Sequence, residues 1–247
     1  MSSAILFSEK LRQAGVTHGF TTRRIGDVLG SMRGWEQATG LSGSSVVWLN
    51  QVHGNDVLLV DQPATVCSAD KDLRYDAAVT DRDDVVLTVR TADCVPILLY
   101  SCEPAVVGIV HAGWRGTLSG VVTSAVSMLD TNYGCRPEEL IAAIGPCIGA
   151  CCYEVGDDVY RPFLDRFGSE AVSVFGHGLT DTEGGGKFVH LAAANRIWLV
   201  ECGLATEKVE IIDYCTSCRE DLFFSYRRDG AGTGRQLAYI SLGKSRR

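Results

Sequence analysis

The sequence predicts an α+β fold, and three observations carry that prediction. Apolar runs of strand length recur along the chain. A few stretches show helical spacing instead. The two kinds do not alternate: strands come in runs, helices follow, and strands return. That order favours segregated layers over a doubly wound parallel sheet. No Pro/Ser-rich linker, repeat or low-complexity tract divides the sequence, so residues 1–247 are expected to form a single domain.

The expected strands are "VVWL" (46–49), "VLLV" (57–60), "VVLTV" (85–89), "VPILLY" (95–100), "VVGIV" (106–110), "VEII" (209–212), "LFFSY" (222–226) and "LAYISL" (237–242). Many of their residues are β-branched, and Gly, Asp or Pro clusters bound them, as in buried strands. A helix is expected over 117–129, where Leu118, Val121, Val122, Ala125 and Leu129 follow i, i+3, i+4, i+7, i+11 spacing. A second is expected in "GDDVYRPFLDRFG" (156–168). A third is expected in "LAAANRIWLVECG" (191–203), with Gly203 in a C-cap position. The polar, Gly-rich "GHGLTDTEGGGKF" (176–188) reads as a surface loop.

The bulk numbers narrow the function classes. Hydrophobic residues at 46 % and charged residues at 21 % are ordinary for a globular core. A net charge of −7 argues against a general nucleic-acid or membrane-surface binder, although local arginines can still hold a small anion. The start "MSSAILFSEKLRQ" has no basic region followed by a long apolar stretch, and no segment reaches the roughly 18 apolar residues of a membrane span. A cytoplasmic protein with reduced thiols is therefore expected. Most of the ten cysteines then read as small buried hydrophobes.

Three ligand-type residues stand at the edges of apolar strands. "NQVHGNDV" places His53 in a turn, "TADCVPILLY" puts Cys94 before a strand, and "GIVHAGWRGT" puts His111 at a strand's end. Two imidazoles and one thiolate make the three protein ligands of a catalytic zinc site, yet their separations resemble no zinc-finger pattern. After His111 an Ala-Gly turn leads towards the helix expected from Thr117, and Arg115 beside that start suggests an anion site. Further arginines stand in turns: Arg23 in "HGFTTRRIGD", and Arg227, Arg228 and Arg235 in "FFSYRRDGAGTGRQ". That last stretch imitates a nucleotide-binding glycine pattern, but a strand follows it, so a Gly-rich hairpin loop fits better. "CIGACCYEVG" and "CTSC" add Cys147, Cys151, Cys152, Cys215 and Cys218, which in sequence do not form a regular ligand set.

"NQVHG", "TADCVPILLY", "GIVHAGWRGT", "IGPCIGACCYEVG" and "FFSYRRDGAGTGRQ" together resemble, in order, the signature blocks of the bacterial laccase-domain family. That family is also called YfiH-like or multicopper polyphenol oxidase, and is now regarded as one of purine nucleoside phosphorylases. The resemblance runs from about residue 18 to residue 242. It implies a YfiH-like layered α/β sandwich with mixed, largely antiparallel sheets and a zinc site of His53, Cys94 and His111, where copper can substitute in vitro. It also implies contributions near the pocket from Arg23, Asp76 in "YDAAVT", Arg115, Arg227 and Arg228. Two departures are visible: His190 in "VHLAAANR" stands where the family often has Asp, and "TRRIGD" lacks the usual Gly-Gly.

The resemblance implies phosphorolysis of adenosine, inosine and methylthioadenosine with accompanying adenosine deamination. The partners are then a purine nucleoside and phosphate, with no nucleic acid and no membrane. Cys94, Asp93 and Arg115 are the expected catalytic residues, Asp93 as a proton-transfer or supporting group and Arg115 on phosphate. Four alternatives stand beside this reading: an amidase editing UDP-muramyl amino acids, a copper polyphenol oxidase, a metal-free thiol hydrolase using Cys94 and His111, and a non-catalytic zinc-stabilised protein. The oxidase reading is short of histidines, because multicopper sites are mainly imidazole and the chain has five.

Overall fold

The computed structural model describes residues 3–29, 33–41, 45–62, 74–167 and 186–243. Two mixed sheets form its centre, with helices outside them. The first sheet has the order β1-β2-β13-β6-β3, built from Ile5–Leu6, Thr17–Thr21, Gln236–Ser241, Val85–Thr91 and Ser45–Trp48. Its pairings are antiparallel except β3 with β6. The second has the order β12-β9-β7-β8-β5-β4, built from Val209–Ile211, Ile141–Ile144, Val95–Ser101, Val106–Ala112, Ala77–Thr80 and Val57–Leu59. Its inner pairings are antiparallel and its two outer ones parallel. A small hairpin pairs β10 (Glu154–Val155) with β11 (Lys187–Phe188).

The apolar strands are continuous rather than alternating because both of their faces are covered. In β7, Leu98 and Tyr100 join Phe20, Leu87 and Ile240 between the two sheets, while Val95, Ile97 and Leu99 face the helical layer. That layer contains α4 (Val121–Tyr133), α5 (Asp157–Phe167) and α6 (Leu191–Glu201), which contribute Leu129, Phe163 and Leu199. On the far side of the first sheet, Leu237 and Tyr239 pack with Trp35 of α2 (Arg33–Thr39). Each such aliphatic side chain stabilises the fold by about 1.5–3 kcal/mol relative to exposure. At the outer edge, Glu210 of β12 accepts hydrogen bonds from Ser8 Oγ and the backbone N–H of Glu9 and Lys10, tying down the start of α1 (Glu9–Gln13).

Several expectations need correction. The helix expected over 117–129 is two helices, α3 (Trp114–Leu118) and α4, because Gly120 adopts φ 75° between them. "LFFSY" is not a strand, and the Gly-rich stretch after it is not a hairpin loop. Residues 223–225 are irregular, Tyr226–Asp229 form the short helix α7, and Gly230–Gly232 a 3₁₀ turn. Side chains replace the sheet partners there. Gln236 exchanges two hydrogen bonds with the backbone of Phe224, and Asp93 accepts from Ser225 Oγ and the Arg227 N–H. Strands β1, β2, β5 and β9 were not expected, being short or, like "THGFT", weakly apolar. Of the predicted surface loop, 176–185 lie outside the described residues, and Lys187–Phe188 form β11. No described helix is long and apolar enough to cross a membrane.

Candidate functional site

Strand register brings the three ligand-type residues together. Because β7 and β8 are antiparallel with Pro96 opposite His111, Cys94 at the start of one lies beside the end of the other. β5 runs antiparallel to β8 with Ala77 opposite Val110, so Asp76 reaches the same end of the sheet. β4 is parallel to β5 with Val57 opposite Ala77, which puts the turn bearing His53 there too. The ligand atoms of His53, Cys94 and His111 all lie within 4.8 Å of one another. His111 is buried, Cys94 half-buried and His53 exposed, so the cluster is closed beneath and open above.

Asp76, wholly buried, organises this centre. Its Oδ1 lies 2.8 Å from His111 Nδ1 and accepts the His53 N–H at 3.0 Å. Its Oδ2 accepts the N–H groups of Val52 at 3.1 Å and Gly54 at 2.7 Å. One carboxylate thus fixes both the ring of one ligand and the backbone carrying another, leaving His111 Nε2 for the centre. Burial pushes the Asp76 pKa up, but the His111 contact and the backbone donors outweigh it, and the net direction is down. Cys94 follows the same logic: burial raises its pKa, yet His111 and His53 bring it down to about 6. Burial lowers the His111 pKa, and Cys94 and Asp76 carry it up to about 9. A thiolate with two imidazoles, one of them backed by a carboxylate, is a donor set that fits zinc.

Two features of the backbone are tied to this centre. His53 has φ 62° and Asp93 φ 94°, the non-glycine residues with positive φ among those described. Such conformations cost on the order of 1–3 kcal/mol each and persist where the surroundings hold them. Asp76 holds the first, and the Asp93 carboxylate holds the second through Thr216 Oγ1 at 2.6 Å, Ser225 Oγ at 3.1 Å and the Arg227 N–H at 2.7 Å. Gly113 is required for space instead: a Cβ there would stand 2.7 Å from His53 Cδ2 and 3.1 Å from Cys94 Sγ.

A cavity of about 690 Å³ opens over the cluster, in the range of small-molecule sites. Its wall includes Gln51, Arg90, Asp93, Arg115, Tyr153, Tyr226, Arg227 and Arg235. The Arg115 guanidinium stacks 4.2 Å from the Trp114 ring and makes no hydrogen bond to another described residue. Trp198 Nε1 and Asn195 Nδ2 hold its helix by bonding Thr117. Arg90 is anchored through Leu49 O, and burial together with the neighbouring Arg235 lowers its pKa. Burial pushes the Tyr153 phenol up to about 12, so it keeps its proton at neutral pH.

Not every expected residue reaches this wall. Arg23 bonds Glu220 O and stacks near Phe224, outside the cavity lining. Arg228 is taken up by the carbonyls of Thr216, Ser217 and Phe223 and by Asp229, and also lies outside it. The reading from sequence missed Arg90, Gln51 and Tyr153. Arg90 sits inside a strand pattern and Gln51 beside His53. Only the mutual bonds between the Gln51 amide and the Arg90 backbone, at 2.8 and 2.9 Å, reveal that they belong together.

Residues 18–243 match the family model described as multi-copper polyphenol oxidoreductase laccase. The chain belongs to this family. Among relatives, a purine nucleoside phosphorylase YlmD of Geobacillus stearothermophilus is 36 % identical over 78 % of this chain and 71 % of its own. A purine nucleoside phosphorylase of Deinococcus radiodurans is 34 % identical over 92 % of this chain and 89 % of its own. The crystal structure of a hypothetical protein YfiH from Bacillus licheniformis superposes with a TM-score of 0.86 at 31 % identity, covering 98 % of this chain and 97 % of that one. The laccase-domain chain described here therefore shares both the signature blocks and the layered fold of YfiH-type proteins.

Proposed function

We propose that this protein is a zinc-dependent purine nucleoside phosphorylase acting on adenosine, inosine and methylthioadenosine, with accompanying deamination of adenosine. The observation that carries the reading is a convergence of charge. In a chain of net charge −7, Arg90, Arg115, Arg227 and Arg235 line one cavity with the His53–Cys94–His111 centre. Neighbouring guanidiniums repel, and a bound anion relieves that repulsion. Relatives named purine nucleoside phosphorylases supply the reaction class.

His53, Cys94 and His111 would hold the zinc, which when bound supplies Lewis acidity to a substrate oxygen. The remaining chemistry falls to the chain. Arg115, with Arg90 and Arg235 of the same cavity lining, binds phosphate and aims one oxygen at the ribose C1′. As that C–O bond forms, the N-glycosidic bond breaks, its electron pair leaves with the purine, and the base takes up a proton. Tyr153, which keeps its O–H, donates a hydrogen bond from the cavity wall. Arg227 is oriented by Asp93, whose carboxylate accepts hydrogen bonds from Thr216, Ser225 and Arg227, so Asp93 acts by positioning. Asp76 positions His53 and His111, while Arg23 and Arg228 brace the segments behind the wall. Zinc is favoured over a multicopper array because, among the described residues, one candidate metal cluster contains histidine and it contains two.

The test is substrate profiling of metal-defined, full-length protein. Release of free base should depend on both phosphate and zinc, with adenosine, inosine and methylthioadenosine as substrates. Adenosine should also yield inosine without phosphate. Absence of phosphorolysis, with hydrolysis of UDP-muramyl amino acids in its place, would favour the amidase.

A further inference from the structure

Away from the cavity centre, the fold gathers cysteines that the sequence leaves scattered. The Sγ atoms of Cys151, Cys152, Cys215 and Cys218 all lie within 4.8 Å of one another. Cys218 Sγ is 3.3 Å from Cys152 Sγ and 3.5 Å from Cys151 Sγ. None of the four is in a disulfide. Two short loops deliver them, and a backbone bridge between Cys147 and Cys215 aligns those loops. Cys147 itself is buried at that bridge, outside the four-sulfur cluster.

From this juxtaposition we propose that Cys151, Cys152, Cys215 and Cys218 form a second, structural zinc site. A tetrahedral zinc with Zn–S bonds of about 2.3 Å sets its sulfurs about 3.8 Å apart, close to the spacing seen. Four mutually close thiols are what one ion requires, whereas a disulfide would use two and strand the others. The "CTSC" turn supplies the C-x-x-C half of a thiolate site, and the adjacent Cys151 and Cys152 supply the rest.

The surroundings suit a bound dianionic centre. Gly149 N–H donates to Cys215 Sγ at 3.2 Å, and the amides of Ser217 and Cys218 also point at that sulfur. N–H donors of this kind stabilise thiolate rather than thiol. Binding one Zn²⁺ would release a proton from each cysteine still protonated and leave a net charge of −2. Arg227 lies alongside, its guanidinium bonding Glu154 O at 2.7 Å and Cys152 O at 3.4 Å, while Arg228, paired with Asp229, grips the carbonyls of Thr216 and Ser217 at 3.0 Å. The site is closed by four protein ligands, so its role is to hold structure. It staples the loop before Tyr153 to the turn whose Thr216 bonds Asp93, and so fixes one wall of the cavity.

The experiment is metal analysis of full-length protein purified without chelator. Wild type should carry about two zinc ions per chain, and Cys218→Ser and Cys94→Ser about one each. The double variant should carry none, and Cys102→Ser, an exposed cysteine outside both clusters, should match wild type. Cys218→His keeps a ligand and should retain the second ion, which guards against a folding defect in the serine variant. Cobalt-substituted Cys94→Ser should show the strong sulfur-to-cobalt charge transfer of a four-thiolate site, altered in the Cys218→His background. Failure of the first centre would leave Cys94→Ser with wild-type zinc but would not change the loss in Cys218→Ser. Unchanged zinc in Cys218→Ser overturns the second site. So does a disulfide between any two of the four cysteines in rapidly alkylated protein from cells.

Discussion

At the His53–Cys94–His111 centre the ligands come from two strand ends and the turn before β4, fixed by sheet register and a buried carboxylate. Cys151, Cys152, Cys215 and Cys218 come from two loops, held by backbone N–H groups and a single bridge. The first set stops at three ligands beneath a cavity lined with arginines, and the second closes with four sulfurs. On the two proposals above, that contrast would separate reactive from structural metal chemistry within one chain. Ligand count decides whether a position stays open to substrate, and the rigidity of the supporting elements decides how precisely that position faces it.

The sharpest way to break this contrast is to remove a ligand at the open centre. Cys94→Ser should abolish phosphorolysis while leaving the four-cysteine ion in place, so zinc falls by about half rather than entirely. Equal loss from both sites, measured by metal analysis, would show that the centres are not independent.

Arg115→Ala should leave zinc content unchanged and raise the phosphate requirement roughly 10- to 150-fold, the value of a charged hydrogen bond of about 1.5–3 kcal/mol. Lysine should rescue only part of this, since a point charge lacks the guanidinium fork. Steady-state kinetics at varied phosphate check it. An unaltered phosphate dependence would move the anion to Arg90 and Arg235.

Asp76→Asn replaces an acceptor-only group with one that must also donate, against three backbone N–H groups and His111 Nδ1. Zinc affinity at the open centre should drop about 10- to 100-fold. Folding stability should fall by about 1–3 kcal/mol, because a buried donor is left facing donors. Competition with a chelator and urea melts read the two effects separately. Loss of affinity at the cysteine cluster as well would blur the distinction between the two centres.

The smallest effect lies outside both centres and calibrates them. Burial pushes the Glu210 pKa up, but the N–H groups of Glu9 and Lys10 and the Ser8 hydroxyl bring it down overall. A lowered folded pKa means the contribution is present above the ordinary glutamate value of about 4.3 and fades as pH falls through the folded value. Glu210→Gln should therefore cost about 1 kcal/mol, as for loss of a helix cap, near neutral pH, and progressively less as pH falls through the folded value. Neither zinc ion should be affected. A metal loss in this variant would mean that global stability, rather than local ligation, governs metal content.

The strand-rich α+β class is legible from residue order alone. Runs such as "VPILLY" and "VVGIV", apolar on both faces, have no stable place except between covered layers. The sequence also showed which residues at the strand edges can bind metal, because imidazole nitrogen and cysteine sulfur in His53, Cys94 and His111 are donors that suit zinc. Tertiary structure alone decided the rest. Whether His53 meets His111 depends on the registers of β4, β5, β7 and β8, and one residue of slip would turn the ligands away. Arg90 and Gln51 join the cavity by long-range pairing, and Arg228 leaves it for carbonyl partners brought by the chain's own return. Cys151 and Cys218 are 67 positions apart, so no local spacing announces them as neighbours. Side-chain chemistry is local to a residue, but coordination needs several residues within a few ångströms, and only the packed fold sets those distances.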